Sequence, residues 1–495
     1  MAKVLAIDCG TTGVTALLID ENGDVAGRGY REFPQSFPRP GWVEHDPEDW
    51  WTALIDACSD AFAEGDTEAT ELGAIGITNQ RETTLLWDRE SLKPIYPAIV
   101  WQDRRTAALC DTLREEGLEP HVRERTGLVI DPYFSGTKLS WLLENVPGAQ
   151  EAAASGSLAF GTVDSYVLAL LTGGAVHVTD HTNASRTMLF DIRGLDWDER
   201  MLERLGVPRA VLPDVHPSSG RFGITDRERF FGASVPVSGI AGDQQAALFG
   251  QACFEVGSSK NTYGTGSFVL MNTGERAPVS TSGLITTIAA TSEKRIEYAL
   301  EGSIFITGAA VQWLRDGLGI IASSSEAGPL ASSVEDTGGV YFVPALVGLG
   351  APHWDPYARG TIVGITRGTT KAHIARAAVE AMAYQTRDVV DAMRADAGVD
   401  IRELKADGGA SVMDVLMQFQ ADVLGVAVRR PRILETTAVG AAYLAGLGEG
   451  FWASREEVAR HWKLDREFEP GDVKEADSRY SGWQRAVERA RRWAL

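Results

Sequence analysis

Two glycine- and threonine-rich turns, each inside a predicted β-hairpin, constrain the fold of this chain most. The first turn, residues 10–13 (GTTG), joins apolar runs at 4–8 and 14–20, and the second, residues 264–266 (GTG), lies within the hairpin at 262–270. Backbone N–H groups and hydroxyls in such turns can line a concave anion site, although either turn alone is more typical of an ordinary hairpin. The pair predicts two distantly related halves, each contributing one turn.

The length of the chain supports this division. Chains beyond about 250–300 residues usually split into domains, so 495 residues predict two domains of similar size. The motif pattern restarts after residue 250, which places an N-terminal domain at 1–250 and a C-terminal domain at 251–495. Strand patterns such as 83–87 occur alongside helical patterns at 47–64, 137–146, 371–397 and 408–424, and residues 193–234 are polar and turn-rich. The predicted fold class is therefore α/β.

Charge and cysteine content exclude several classes of function. The net charge of −21, from 68 acidic and 47 basic residues, argues against nucleic-acid partners and anionic membrane surfaces. We see no signal peptide and no apolar run long enough for membrane insertion, so we expect a cytoplasmic protein. The cysteines lack metal-ligand spacing and are expected to be reduced and buried: Cys9, Cys58, Cys110 and Cys253.

A carboxylate between small residues follows the apolar run 235–240. The segment 239–247 (GIAGDQQAA) places Asp243 at the end of this predicted strand and at the start of a helix-forming run. Gly and Ala allow backbone and substrate to approach closely, and an acid at a strand end suits a general base at the rim of a cleft. A helix cap or a turn is the competing structural interpretation.

A second carboxylate, Asp8, ends the first strand beside the turn at 10–13. In that position it would face bound phosphates and hold Mg²⁺, directly or through water. The sequence contains no Walker-type phosphate loop with its lysine. Phosphates would therefore be held by the two hairpin turns, one from each half of the chain.

Two longer segments resemble the signatures of the FGGY family of carbohydrate kinases. Residues 133–145 (YFSGTKLSWLLEN) resemble the first signature, and 360–365 (GTIVGI) with 373–380 (HIARAAVE) resemble the second. The resemblance covers nearly the whole chain and implies the fold of the actin, sugar-kinase and heat-shock ATPase superfamily. That fold has two ribonuclease H-like (actin-like ATPase) domains, each a mixed sheet flanked by helices, with the active-site cleft between them. ATP and Mg²⁺ are the implied cofactors.

Within this family, further segments are similar to the members that phosphorylate glycerol. They are 42–45 (WVEH), 78–83 (TNQRET), 100–103 (VWQD), 183–187 (NASRT) and the Asp243 segment. The resemblance implies ATP-dependent formation of sn-glycerol 3-phosphate, with glycerol and ATP/ADP as partners and a homo-oligomer, a dimer or tetramer. A kinase for another small polyol or a ketose is one alternative, and a non-enzymatic nucleotide switch is the other. The two signatures and Asp243 argue against the switch.

Glycerol has three hydroxyls, so its site needs donors, acceptors and an apolar wall. The resemblance assigns donors and acceptors to Arg81 and Glu82, a hydroxyl to Tyr133 and an amide to Gln244. It assigns apolar walls to Trp101 and Phe268, and Asp243 would contact glycerol as the general base. For Arg81 and Glu82 the competing interpretation is a solvated pair on a surface turn, and aromatic residues of this kind are more often part of the core.

The resemblance also implies a nucleotide site. Asp8 and Asp243 would hold Mg²⁺, and the phosphates and adenosine would contact Gly10, Thr11, Thr12, Gly264, Thr265, Gly266, Gly308, Gln312, Gly409 and Ala410. Gly308 and Gln312 begin a predicted helix, whose N-terminus suits an anion. The glycines after the strand at 404–407 have a competing interpretation as a plain strand-to-helix turn. Cys9, Thr15 and Met413 depart from the family pattern, which leaves the nucleotide preference open.

Overall fold

The computed structural model describes residues 2–291 and 295–494. The N-terminal half contains, in chain order, β1 (Lys3–Cys9), β2 (Gly13–Ile19), β3 (Val25–Glu32), β4 (Glu44–His45), α1 (Pro47–Glu64), β5 (Leu72–Asn79), β6 (Leu85–Asp88), β7 (Ala98–Ile99), α2 (Ala107–Glu115), α3 (Glu119–Thr126), α4 (Ser135–Asn145), α5 (Ala149–Ala154), β8 (Leu158–Gly161), α6 (Val163–Leu171), β9 (Val178–Asp180), α7 (His181–Ala184), β10 (Phe190–Asp191), β11 (Asp196–Trp197), α8 (Glu199–Leu205), β12 (Asp214–His216), β13 (Ser219–Ile224), β14 (Pro236–Gly242) and α9 (Asp243–Gly250).

The C-terminal half contains β15 (Ser258–Tyr263), β16 (Ser267–Gly274), β17 (Ile285–Ile288), β18 (Tyr298–Ile304), α10 (Gly308–Asp316), α11 (Ala327–Ser332), β19 (Tyr341–Val343), β20 (Thr361–Val363), α12 (Lys371–Ala397), β21 (Glu403–Asp407), α13 (Asp414–Leu424), β22 (Val428–Pro431), α14 (Thr436–Gly448), α15 (Arg455–His461), β23 (Leu464–Phe468) and α16 (Val473–Ala490). Short 3₁₀ turns occur at Ala69–Glu71, Arg209–Val211, Ser324–Glu326 and Gly409–Val412.

Each half is built on a mixed sheet with the same central strand order. The first sheet runs β13-β14-β5-β1-β2-β3 and the second runs β17-β18-β16-β15-β21-β22-β23. In both, an antiparallel hairpin (β1/β2 or β15/β16) lies beside two parallel strands (β5 and β14, or β21 and β22). The central strands of both sheets are largely buried because helices cover both faces of each sheet, and β1 and β5 are mostly apolar. The two glycine-rich turns therefore occupy equivalent positions.

One helix of the C-terminal half packs on the first sheet. Helix α14 lies against β5, β14 and β1 and crosses α9. The crossing is close because it uses glycine: a Cβ at Gly440 would lie 1.9 Å from the Ala246 carbonyl oxygen. Since α14 contributes to the core of the other half, the division into domains 1–250 and 251–495 stays a prediction.

Most predicted elements are present, with shifted ends. Helices α1 and α12 have the predicted bounds, whereas the strand predicted at 83–87 begins at Leu85 and the helix predicted at 137–146 begins at Ser135. The helix predicted to open at 408–410 begins only at Asp414. It is preceded by a 3₁₀ turn because Gly408 has φ +83° and packs against the Tyr263 backbone. The turn-rich region 193–234 also contains α8 and β13, and β13 forms an edge of the first sheet.

All four cysteines are buried and free, as expected. Within residues 2–291 and 295–494, no helix is long and apolar enough to cross a membrane.

Candidate active site

The two carboxylates predicted from sequence lie at one edge of the first sheet. Strand register pairs Asp8 of β1 with Thr78 of β5, and Asn79 of β5 with Gly242 of β14, which directly precedes Asp243. Asp8 and Asp243 are thus brought together at the carboxyl ends of parallel strands. Burial and the nearby Asp243 charge raise the pKa of Asp8 to about 7. In the part of the chain that the structure describes, the Asp8 carboxylate has no hydrogen-bond or ion-pair partner.

Asp243 is the first residue of α9 and keeps 28% of its side chain exposed. Its Oδ1 atom lies 2.9 Å from Arg81 Nε and accepts the Gln244 backbone N–H at 2.7 Å. Its Oδ2 atom has no hydrogen-bond or ion-pair partner among residues 2–291 and 295–494. One oxygen of this carboxylate is therefore fixed in place, and the other is available to a ligand.

A buried cluster of charges holds Arg81 in place. Arg81 Nη1 and Nη2 donate to Glu301 at 2.6 and 3.1 Å, and Nη1 also donates to Gln245 Oε1 at 3.1 Å. Arg186 donates to Glu82 at 2.6 Å and to Glu301 at 2.9 Å. Burial alone opposes ionisation of Glu301, but the two guanidinium groups outweigh it and hold the pKa of Glu301 at about 2.

This cluster excludes a solvated surface pair at Arg81 and Glu82, because the two residues are only 2% and 1% exposed. Glu82 also has φ +61°, an uncommon backbone conformation for a residue with a side chain. Arg186 at 2.6 Å and Arg81 at 3.8 Å both contact its carboxylate. The family resemblance identified the two residues but not the salt bridges that immobilise them.

The predicted aromatic walls surround the charge cluster. The Trp101 and Tyr133 rings meet edge to face with centroids 5.6 Å apart. Arg186 Cζ lies 5.6 Å from the centre of the Tyr133 ring, and Arg81 Cζ lies 5.8 Å from that of Phe268. All three aromatic residues are partly exposed, which separates them from ordinary core aromatics.

The first hairpin turn joins this compartment. Trp101 Nε1 donates to Thr11 Oγ1 at 2.9 Å, and the Gly10 backbone N–H donates to Gly13 O at 3.0 Å. Gln80 Nε2 donates to the Gly10 carbonyl at 3.1 Å. Thr12 is exposed at the tip of the turn. The aromatic wall and the turn are therefore one connected structure.

The second hairpin turn is fastened to the start of α10. The Gly308 and Ala309 N–H groups donate to the carbonyls of Gly264 and Thr265, both at 3.0 Å. A Cβ at Gly308 would lie 2.5 Å from Gly264 O, so this position accommodates only glycine without a shift. Gly264 and Thr265 are exposed and Gly266 is partly exposed. Because these helix N–H groups already have acceptors, α10 positions the turn.

The remaining predicted nucleotide residues lie near this turn. Strand register pairs Thr262 with Asp407, so the Gly409 and Ala410 segment that follows β21 lies beside the second turn. Gly409 is exposed and Ala410 is partly buried, while Gln312 is exposed on α10 one turn beyond Gly308. The structure thus brings the predicted nucleotide residues of the C-terminal half to one end of the second sheet.

Sequence reasoning missed two charged residues of the site. Glu301 is the only charged residue of β18 (YALEGSI) and accepts from both arginines. Lys260 of β15 is fully buried beside Gln244. Arg186 lay in a recognised segment but had no assigned role. An isolated charge inside a buried strand was the available signal, because such a charge needs a partner elsewhere in the fold.

Comparison with known proteins agrees with this architecture. Family models for the N-terminal and C-terminal domains of the FGGY family of carbohydrate kinases match residues 3–250 and 259–449. The chain is 58% identical to glycerol kinase of Carboxydothermus hydrogenoformans, with 99% of each chain covered. It is also 58% identical to glycerol kinase 2 of Thermotoga maritima, with 100% of this chain and 99% of that one covered.

Among solved structures, the Plasmodium falciparum glycerol kinase with ADP superimposes with a TM-score of 0.93 at 36% identity, covering 99% of this chain and 98% of that one. The sequence matches extend over both halves and include the segments that build the cleft. This protein therefore belongs to the FGGY family of carbohydrate kinases.

Proposed function

We propose that this protein transfers the γ-phosphoryl group of ATP to a terminal hydroxyl of glycerol, which yields sn-glycerol 3-phosphate and ADP. The observation that carries the proposal is the Asp243 carboxylate, fixed by Arg81 through Oδ1 and open at Oδ2, beside a small polar compartment with aromatic walls. Relatives that are 58% identical over 99% of the chain are named glycerol kinase, which supports the choice of acceptor.

The compartment suits a small polyol. Glu82 offers carboxylate oxygens, Tyr133 a hydroxyl and Gln244 an amide. Trp101 and Phe268 contact the carbon skeleton. Arg81 has five N–H donors, of which four are directed to Asp243, Glu301 and Gln245, so one remains for a substrate hydroxyl. Side chains held this rigidly lose little conformational entropy when a ligand binds.

Asp243 acts as the general base. The terminal hydroxyl gives its proton to Oδ2 while its oxygen attacks the γ-phosphorus, and the bond to the β,γ-bridging oxygen breaks as ADP leaves. Arg81 stays bonded to Oδ1 and keeps the carboxylate oriented during the transfer. Positioning and charge, with no covalent intermediate, account for the proposed catalysis.

Asp8 and Asp243 are the residues that would hold Mg²⁺. In the described part of the chain, the Asp8 carboxylate has no ion-pair partner and lies near the Asp243 charge, which fits a cation. No group of three or more His, Cys, Asp or Glu residues suited to a metal occurs in the described chain, and Mg²⁺ commonly uses one or two carboxylates with water and substrate phosphates. When bound, the Mg²⁺ ion would neutralise part of the negative charge of the phosphates. The Gly10–Thr12 and Gly264–Gly266 turns hold the phosphates, and Gly308, Gln312, Gly409 and Ala410 hold the rest of the nucleotide.

A coupled ADP-release assay over a polyol panel tests this proposal. The panel contains glycerol, a tetritol and a pentulose, with a no-acceptor control. We expect glycerol to have the highest kcat/KM and the control to show only slow hydrolysis. A higher kcat/KM for the tetritol or the pentulose would show that this compound, and not glycerol, is the substrate. ATP hydrolysis that does not depend on an acceptor would indicate a nucleotide switch.

A further inference from the structure

A buried lysine with no role in the proposed chemistry joins the two sides of the cleft. Lys260 Nζ donates to Gln244 Oε1 and to Thr262 Oγ1, the latter at 2.9 Å. Gln244 belongs to α9 in the N-terminal half, whereas Lys260 and Thr262 belong to β15, which leads into the second hairpin turn. Lys260 is fully buried and Gln244 is 5% exposed. The contact between Lys260 and Gln244 is therefore shielded from solvent.

This contact determines which end of the Gln244 amide faces the substrate. A lysine ammonium has three donors and no acceptor, so only the amide oxygen can face it. The Nε2 end must then point away from Lys260. Among the described residues, Nε2 has no hydrogen-bond acceptor, and this atom is not fully enclosed by protein. The amide therefore presents N–H donors beside Asp243, its neighbour in the chain.

We propose that Lys260 is a positioning residue for the polyol site, acting through the orientation of the Gln244 amide. Gln244 Nε2 donates to one hydroxyl oxygen of the polyol while the adjacent Asp243 Oδ2 accepts from another hydroxyl. With the amide reversed, Asp243 and Gln244 would offer only acceptors, and the pair would no longer distinguish the two hydroxyls. The inference rests on the proposed function for the identity of the acceptor.

The same ammonium connects the acceptor site with the phosphate side. Its second bond, to Thr262, lies on the strand that ends at the second turn. A substrate bound by Gln244 is therefore held at a fixed position relative to the turn that holds phosphate. Loss of Lys260 is expected to act mainly on substrate binding, because the base Asp243 keeps its own bond to Arg81.

The protonation state of Lys260 offers a readout that a purely structural residue would lack. Burial lowers the pKa of Lys260 to about 8, with Arg81 acting in the same direction and Asp407, Asp243 and Glu301 opposing it. Above pH 8 the neutral amine can accept as well as donate, so the amide is free to turn. The KM for glycerol should rise as pH increases through 8 in the wild type. In Lys260→Arg, which stays charged, this alkaline rise should be absent.

The main comparison is Lys260→Met against Lys405→Met. Lys405 is the matched control because it is buried, pairs with Lys260 in register on the adjacent strand, and donates instead to the Gln251 carbonyl at 2.7 Å. For Lys260→Met we expect a KM for glycerol about 3- to 10-fold higher, the effect of one lost hydrogen bond, with kcat and the KM for ATP within about twofold of wild type. Lys405→Met should leave the KM for glycerol unchanged. A wild-type KM in Lys260→Met would overturn the proposal.

A double-mutant cycle with Gln244→Ala identifies the route of the effect. If Lys260 acts through Gln244, adding Lys260→Met to Gln244→Ala costs less than about twofold in kcat/KM. If the losses in kcat/KM from the two substitutions multiply and the KM for ATP also rises, Lys260 contacts phosphate instead. That result would overturn the positioning role. Wild-type turnover is measured first. If glycerol is not phosphorylated, the proposed function fails, and the cycle is run with the polyol that is used, so Lys260 is tested in either case.

Discussion

At the residue scale, the two carboxylates of the site differ in their partners, and this difference separates their roles. Asp243 is oriented by Arg81 at 2.9 Å and by the Gln244 backbone, whereas Asp8 is unpaired in the described structure. The raised pKa of Asp8, about 7, follows from burial and from the Asp243 charge. A cation shared by the pair relieves the repulsion between them.

Exchange of each carboxylate for an amide should give different defects. Asp243→Asn keeps size and polarity but cannot take a proton, so we expect kcat to fall by roughly 10²–10⁴-fold with ligand binding retained within about tenfold. Asp8→Asn should instead raise the Mg²⁺ concentration needed for half-maximal rate. Added Mg²⁺ should partly restore Asp8→Asn and leave Asp243→Asn slow. A folded Asp243→Asn enzyme with near wild-type kcat would remove Asp243 from the mechanism.

Replacement of Glu301 should expose the cost of removing the counter-ion that two buried arginines share. Glu301→Gln leaves Arg81 and Arg186 buried without their shared counter-ion, so we expect a loss of about 3–5 kcal/mol in the free energy of unfolding. The control is Glu403→Gln, which breaks a half-exposed pair with Arg429 and should cost less than about 1 kcal/mol. Urea denaturation measures both. Equal, small losses would show that the buried cluster contributes little to stability.

At the element scale, each phosphate turn is supported by a neighbouring element of the fold. Trp101 and Gln80 bond to the first turn, and the start of α10 bonds to the second through two backbone N–H groups. Tight turns of this kind need glycine because another backbone lies within van der Waals distance. The positions of Gly264 and Thr265 therefore depend on α10 as well as on their own conformations.

A methyl group at Gly308 should displace the second turn. In Gly308→Ala the new Cβ would lie 2.5 Å from Gly264 O, so the turn and α10 must separate. We expect the KM for ATP to rise about tenfold or more, as for a loss of about 1.4 kcal/mol, with the KM for glycerol changed by less than about twofold. The control is Gly368→Ala, where the nearest atom is 3.9 Å away. An unchanged KM for ATP in Gly308→Ala would contradict the supporting role of α10.

At the scale of the whole molecule, two sheets of equivalent topology lie on either side of the cleft. Helices α9 and α14, one from each half, cross each other between them. Buried ion pairs join the halves, since Arg81 and Arg186 come from the first and Glu301 from the second. At the helix crossing, Asp407 Oδ2 accepts from Gln251 Nε2 at 2.6 Å and from Thr436 Oγ1 at 2.5 Å. We expect relative motion of the halves to preserve these contacts and to pivot near the α9–α14 crossing.

Binding of both ligands should close the cleft. Each half contributes one phosphate turn, so bound ATP bridges them and favours a closed form that excludes water. We expect small-angle scattering to record a smaller radius of gyration with glycerol and a non-hydrolysable ATP analogue together than with glycerol alone. An identical scattering profile in the two conditions would argue that the cleft is preformed.

The sequence by itself determined the local features of this protein. The apolar periodicity of α1 and α12, the two glycine-rich turns and the position of Asp243 at a strand end all follow from neighbouring residues, which set backbone conformation. The resemblance of both signatures to the FGGY family identified the fold, which the structure and the comparisons confirm. The break before α13 was missed because it depends on contact between Gly408 and Tyr263.

Only the tertiary structure decided how the charged residues are paired. Arg81 and Glu301 are 220 positions apart in the chain, and nothing local to either residue specifies the other. The same holds for Lys260 and Gln244, which belong to different halves. Buried charges must find partners wherever the packing of the two sheets brings them, because leaving one unpaired costs several kcal/mol. The orientation of the charged side chains in the site thus depends on how the two halves pack together. The order of neighbouring residues in the chain does not specify this packing.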